Sequence, residues 1–286
     1  MIRKYCDEDK KRILDIVRQG ILTDDEELDF ITENSNEIIV FDDETNGILG
    51  FSTFRVWGEN HNKADVYTYV VPSARRNGIG TLLYDEITKN IKDNSAQAGN
   101  FVFFSTRMKV EKDDPTSFYE KRGYQKWYAE YDMQFDGSEQ PASYLLFVPY
   151  EEKYFTQYVD GLRTSFYELR KTNDFQPYFC CEWNEEKRKE LLDAKDSLFL
   201  LFDNETLIAS VIVRKNGIID DVFVVPSYQG KGYGKKLMQF SINKAIDRGN
   251  SCISLRAIEW NSKALNLYQS VGLDVVQTTN YYRLFG

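Results

Sequence analysis

The chain has 286 residues, 42% hydrophobic and 28% charged, with a formal net charge of −9. That length suits two domains of roughly 140 residues, each large enough to bury a core. The acidity argues against nonspecific nucleic-acid binding, because a phosphate polyanion rewards basic surfaces, and it leaves room for a cationic ligand.

No apolar run approaches the length of a membrane span, and Met1-Ile2-Arg3-Lys4-Tyr5-Cys6-Asp7 enters charged sequence at once, so a cytoplasmic protein with no membrane association is expected. The four cysteines, Cys6, Cys180, Cys181 and Cys252, lack metal-type spacing. Adjacent Cys180 and Cys181 make poor disulfide partners, and no metal site is expected.

In chain order, apolar alternation and turn residues predict a strand over 2–5, helices over 7–18 and 25–34, and strands over 37–41 and 48–56. A strand ending at Val70-Val71-Pro72, a helix carrying Leu83, Ile87 and Ile91, a strand over 101–105 and a closing hairpin follow. The polar, turn-rich segment 136–143 reads as a linker between domains 1–138 and 139–286. The second half then replays the order: a strand over 144–148, helices over 151–171 and 185–194, and strands over 198–202 and 207–214. A strand ending at Val224-Val225-Pro226, a helix carrying Met238, Ile242, Ala245 and Ile246, a strand over 252–255 and a second hairpin complete it.

The repeat is sharpest in one loop. Val224-Val225-Pro226-Ser227-Tyr228-Gln229-Gly230-Lys231-Gly232-Tyr233-Gly234-Lys235 echoes Val70-Val71-Pro72-Ser73-Ala74-Arg75-Arg76-Asn77-Gly78-Ile79-Gly80-Thr81, 154 residues earlier. Glycines just ahead of a helix let successive N–H groups point into one concavity, where the helix dipole adds partial positive charge, so each loop is a candidate phosphate nest. A dinucleotide fingerprint lacks its third glycine in both copies, and a Walker loop fails because Gly234-Lys235 is followed by Lys236.

The Gln/Arg-x-x-Gly-x-Gly loop after a Val-x-Pro strand end resembles the coenzyme A pyrophosphate loop of the GNAT-type N-acetyltransferase superfamily. Its occurrence twice makes the chain similar to a tandem GNAT protein. Asn261-Ser262-Lys263-Ala264-Leu265-Asn266-Leu267-Tyr268-Gln269-Ser270-Val271-Gly272-Leu273 is similar to the family's Asn-x-x-Ala-x-x-x-Tyr helix. Read by itself this segment is a helix with Asn261 as N-cap and Gly272 as C-cap. Phe118-Tyr119-Glu120-Lys121-Arg122-Gly123-Tyr124 mirrors it 149 residues earlier, and an arginine stands 12 residues before each tyrosine, Arg107 and Arg256. The five-residue difference in offset points to an insertion near 92–100, the kind of change loops tolerate.

The resemblance implies an α/β (α+β) fold of two tandem domains, each a mixed, mostly antiparallel twisted sheet flanked by helices. It also implies acetyl-CoA as cofactor and an amine, small-molecule or peptide, as acceptor. The pyrophosphate would sit on Gly230, Lys231, Gly232, Tyr233, Gly234 and Lys235 after Gln229, and the pantetheine along Val222, Phe223 and Val224. Asn261 would touch the coenzyme and Tyr268 would protonate the departing thiolate, with packing of the helix as the alternative role for the ring.

In the first half the matching residues are Val70, Arg75, Arg76, Asn77, Gly78, Ile79, Gly80, Thr81 and Tyr119. There, however, Lys112 replaces the Asn and Pro115 replaces Ala264. The C-terminal domain is therefore expected to catalyse. The N-terminal one is left to bind coenzyme A, shape the acceptor cleft or keep weak activity.

The base is less determined. The fifth-strand carboxylate of the family's ribosomal-protein acetyltransferases is Arg256 here, which leaves Asp221, Asp220 and Asp65, with solvated strand-end charge as their plain alternative. His61 lies in a polar loop, and a single histidine disfavours a Ser-His-Asp enzyme. With no nucleophile setting in view, direct attack by the amine in a ternary complex is expected. A noncatalytic acyl-CoA sensor or scaffold, a different acyl group and an oxygen acceptor stay open, and oligomeric state is not legible.

Overall fold

The computed structural model describes residues 1–20, 37–57, 62–95, 103–109, 116–180 and 184–285. The helix expected over 25–34, residues His61, Lys112, Pro115 and Cys181, and most of the insertion expected near 92–100 lie outside them.

The chain divides into two compact units, residues 1–128 with 279–286, and residues 129–278. Unit 1 opens with β1 (Ile2–Lys4), a 3-10 turn and α1 (Lys10–Gly20), then β2 (Glu37–Asp43), β3 (Gly47–Trp57) and β4 (Lys63–Val70). It continues with α2 (Ile79–Ser95), β5 (Phe103–Lys109) and α3 (Thr116–Glu120). Strands β1 to β4 pair antiparallel in order, and β4 meets β5 in parallel. Leu83, Ile87 and Ile91 of α2 bury against one face of this sheet, and Ile13, Ile16 and Val17 of α1 against the other. The helical spacing of both sets is what makes each helix a one-faced cover.

Unit 2 repeats the plan with β7 (Phe147–Pro149), α4 (Phe155–Thr172), α5 (Glu185–Asp193), β8 (Leu198–Asp203), β9 (Thr206–Val213) and β10 (Ile219–Val224). Then come α6 (Tyr233–Asp247), β11 (Ile253–Ile258) and α7 (Ser262–Gln269). Its four-stranded sheet runs β10-β9-β8-β7. Leu237, Met238, Ile242 and Ala245 of α6 fill one face, and Tyr158, Val159 and Leu162 of α4 fill the other.

Each half was expected to end in its own hairpin, and the two halves instead trade closing strands. β6 (Gln125–Phe135), which precedes the linker sequence, pairs antiparallel with β11 through Glu130 to Phe135. β12 (Leu273–Leu284) pairs with β5 through Thr279 to Leu284. Apolar alternation fixes which face of a strand is buried and says nothing of which neighbour supplies the hydrogen bonds.

Candidate active site

The two loops are built alike. After β10, Gln229 donates from Nε2 to the Val224 carbonyl at 2.9 Å, and after β4, Arg75 donates from Nε to the Val70 carbonyl at 3.0 Å. Each brace bends the chain back onto its own strand end. Gly230 and Gly232 lie at φ 75° and 86°, and Gly78 at 82°, in the left-handed region that glycine enters without steric cost. A Cβ placed on Gly230, Gly232 or Gly78 would meet nothing within 4 Å, so it is the positive φ rather than crowding that calls for glycine there. At Gly234, a Cβ would come 3.0 Å from Leu267 Cδ2, so α6 and α7 approach closely where the helix begins. The first N–H groups of α6 have no partner within the helix and face the loop, which suits an anionic phosphate. Lys231 lies over the Tyr228 ring at 4.6 Å, and Tyr228 donates to Asp203 at 2.9 Å.

The strands ahead of the loops differ. β4 pairs with β3 without a break from Gly50↔Val70 to Trp57↔Lys63. β10 slips by one residue against β9 between Asp220↔Ile212 and Phe223↔Ser210, and Asp221 within the slip has φ 45°. This bulge bends β10 and takes a peptide out of the ladder, where the Asp221 N–H donates instead to Asp220 Oδ1 at 3.0 Å. Among the described residues the backbone pairing toward β11 is an isolated parallel bridge just ahead of β10, Ile218 to Ser254, with the Ser254 N–H donating to the Gly217 carbonyl at 3.2 Å. Past that bridge the strands separate.

A cleft of about 270 Å³ fills the separation. Its walls are β10 from Ile219 to Val222, β11 from Leu255 to Ile258, Trp260, Asn261, Ala264 and Tyr268 at α7, Phe166, Leu169 and Arg170 of α4, Phe175, and Glu130 of β6. Tyr268 is 7% exposed, and burial, then the charge of Asp220, pushes its hydroxyl up to about 12. Asn261 caps α7 by accepting from Ala264 N–H at 3.2 Å. Asp221 is half-buried and accepts a hydrogen bond from Tyr158 at 3.0 Å; burial first, and Asp220 second, raise its carboxyl above the usual range. Asp220 itself holds Arg214 at 2.7 Å.

The structure thus gathers Val222, Asn261, Asp221 and Tyr268 around one cleft and sets the glycine nest at the end of the same strand. Val222 and Val224 pack on the α6 side, whereas the Phe223 side chain is buried against α4, leaving only its backbone to line the strand. Tyr119 sits elsewhere in character. It is 4% exposed and lies in an aromatic cluster, 5.1 Å from Phe118, 5.4 Å from Tyr124 and 6.3 Å from Tyr84. Asp65 pairs with Arg55 at 3.3 Å.

Two residues were not foreseen. Arg122, in the place of Val271, donates to Thr81 Oγ1 at 2.9 Å and stacks over Phe118 at 3.7 Å, so it covers the start of α2. Glu130 reaches the cleft because β6 pairs with β11, and no spacing in the sequence announces that pairing. Among the described residues there is no group of three or more metal-ligating side chains and no helix long and apolar enough to cross a membrane.

Comparison with known proteins agrees with this geometry. The sequence profile of the Acetyltransferase (GNAT) family matches residues 163–273, and that of an Acetyltransferase (GNAT) domain matches residues 34–126. Thialysine N-epsilon-acetyltransferase of Mus musculus is 31% identical over 80 residues, which is 28% of this chain and 47% of that protein. L-ornithine N5-acetyltransferase of Arabidopsis thaliana is 30% identical over 77 residues, 27% of this chain and 34% of that protein. The chain therefore spans less than half the length of these curated relatives.

Two solved structures share the fold along nearly the whole chain. A GCN5-related N-acetyltransferase from Sphaerobacter thermophilus superposes with TM-score 0.74 at 15% identity, over 99% of this chain and 95% of that one. A tandem GNAT protein from the clavulanic acid biosynthesis pathway does so with TM-score 0.65 at 12% identity, over 99% and 98%.

Proposed function

Since the chain belongs to the GNAT acetyltransferase family and carries one family domain in each half, we propose that it transfers an acetyl group from acetyl-CoA to a small amine, and that the C-terminal unit performs the transfer. The observation that carries this reading is the bulge in β10, which opens a cleft bearing Asp221, Asn261 and Tyr268 next to the glycine nest.

The left-handed glycines Gly230 and Gly232 ahead of the α6 N-terminus make a backbone nest suited to a pyrophosphate, with Lys231 and Lys235 in the same loop for its charge. Acetyl-CoA, when bound, supplies the activated acetyl thioester. The backbone of Val222 to Val224 would hold the pantetheine arm, and a strand N–H there would stabilise negative charge developing on the thioester oxygen. The raised carboxyl of Asp221 takes a proton from the acceptor ammonium, and the neutral Tyr268 hydroxyl returns one to the departing sulfur. Among the described residues lining the cleft there is no cysteine, serine or histidine, which supports direct attack by the amine with both substrates bound. The acceptor is a small aliphatic amine, the class to which the thialysine and L-ornithine in the relatives' names belong.

Thiol release from acetyl-CoA against a panel of amines tests this reading. Release that requires an amine, with intersecting initial-rate patterns and a rate rising with pH to a plateau, is the expected result. The rise follows ionisation of Asp221 and of the acceptor, and Tyr268, at about 12, imposes no fall in the neutral range. Parallel patterns with an acetylated Cys252 or Cys180 would replace direct transfer by a covalent intermediate. Acetyl-CoA binding with no release for any amine would make the protein a sensor or scaffold.

A further inference from the structure

The acceptor side of the cleft contains a carboxylate that the transfer chemistry does not use. β6 pairs with β11 so that Asp132 stands opposite Arg256 and Glu130 opposite Ile258. Side chains alternate along a strand, so Glu130, Asp132 and Arg256 share one face. The other face carries Met133, Leu255 and Ala257, which are buried with Tyr268. Glu130 and Arg256 therefore lie on the side away from Tyr268, and the aromatic walls Phe166 and Phe175 line the same cleft.

Glu130, Asp220 and Asp221 all line this cleft, and each of them is engaged. Asp132 holds Arg256 at 3.0 Å, Asp220 holds Arg214 at 2.7 Å, and Asp221 accepts from Tyr158 at 3.0 Å. Glu130 lines the cleft itself, its side chain 21% exposed, with the Arg256 guanidinium 3.9 Å away. A partly desolvated carboxylate attracts a cation more strongly than a surface acid does.

The geometry points to Glu130 as a specificity residue that holds a second cationic group of the acceptor. The acceptor is then an aliphatic amine carrying another ammonium a few methylenes from the nitrogen that is acetylated. Its methylene chain would lie along Phe166 and Phe175, which supply apolar contact, with the Arg170 guanidinium already over the Phe175 ring at 4.4 Å. The proposal rests on the transferase reading and adds to it a residue from the far side of the linker: strand β6, given by the first half of the sequence, completes the acceptor wall of the C-terminal unit.

The test uses the full chain and matched pairs of probes, 1,3-diaminopropane to 1,6-diaminohexane against the n-alkylamines of the same length. The readout is the ratio of kcat/KM for diamine over monoamine, with KM for acetyl-CoA measured alongside. In the wild type one or more diamines should exceed their monoamines at least tenfold. Glu130→Gln should collapse that ratio at least tenfold through KM for the diamine, with KM for acetyl-CoA unchanged, and Glu130→Asp should restore part of it. A ratio unchanged in Glu130→Gln, or an equal loss on both members of each pair, would overturn the assignment. Failure of the wild type to acetylate any probe or any amine would instead overturn the transferase reading beneath it.

Discussion

The loops after β4 and β10 are near copies, braced alike by Arg75 and Gln229, yet the strands that lead into them differ by one residue of register. β4 stays in its ladder throughout. β10 breaks it, with Asp221 in the left-handed region, and the cleft opens at that break. Counting back 154 residues, the place of Asp221 is held by Tyr67, which is buried 5.8 Å from Phe51. Tyr268 lines a cleft, and Tyr119 closes an aromatic core. Both strands part from their parallel neighbours, so what distinguishes the two nests is the register break in β10 and the acid it sets beside the cleft.

That contrast can be broken most forcefully at Asp221, the proposed base. Asp221→Asn should lower kcat by roughly a hundredfold or more, the usual scale for losing a general base, while Tyr67→Phe leaves turnover within about threefold. The same substitution should stabilise the fold. A carboxyl whose folded pKa is raised contributes stability below its unfolded value, 3.8, and loses it as pH rises through the folded value. At neutral pH, above the unfolded value, the carboxyl is therefore a liability, and Asn, which tolerates left-handed backbone, removes it. Thermal unfolding should show a gain on the order of 1 kcal/mol. A less stable Asp221→Asn with normal turnover would reduce the carboxylate to a structural element.

The loops give a smaller effect. Valine at both Gly232 and Gly234 strains the left-handed position and drives a side chain at Leu267, so acetyl-CoA affinity should fall at least tenfold, about 1.4 kcal/mol, by calorimetry on folded protein. The paired change at Gly78 and Gly80 should leave transfer within about threefold, and a larger loss would mean that the N-terminal loop takes part in catalysis.

The smallest effect is at Arg76, which holds φ 66° where the second loop has Gly230 at 75°. Arg76→Gly relieves left-handed strain and adds freedom to the unfolded chain, terms of opposite sign near 1 kcal/mol each. Unfolding should therefore shift by less than about 1 kcal/mol, with turnover unchanged.

Much of this architecture is legible in the sequence because it rests on local signals. The glycine loops, the N-cap at Asn261 and the one-faced helices α2 and α6 each follow from a few neighbouring residues. Strand exchange is not local: Gln125 to Phe135 alternates correctly for a closing strand whichever partner it takes, so Glu130 was invisible as a cleft residue until β11 was seen beside it. The bulge lay between these cases. Ile219-Asp220-Asp221-Val222 interrupts apolar alternation with two acids in a row, a cue to a register break that does not by itself show which acid turns inward. Arg122 escaped notice because its role depends on α3 packing over the start of α2.

The most direct measurement of the asymmetry between the units is the turnover of Tyr268→Phe and Tyr119→Phe, assayed side by side on the same acceptor with folding checked by circular dichroism. With transfer confined to the C-terminal unit, Tyr268→Phe should lose roughly ten- to a thousandfold in kcat and Tyr119→Phe should stay within about threefold. A larger loss in Tyr119→Phe than in Tyr268→Phe would place the chemistry in the other unit and contradict the account.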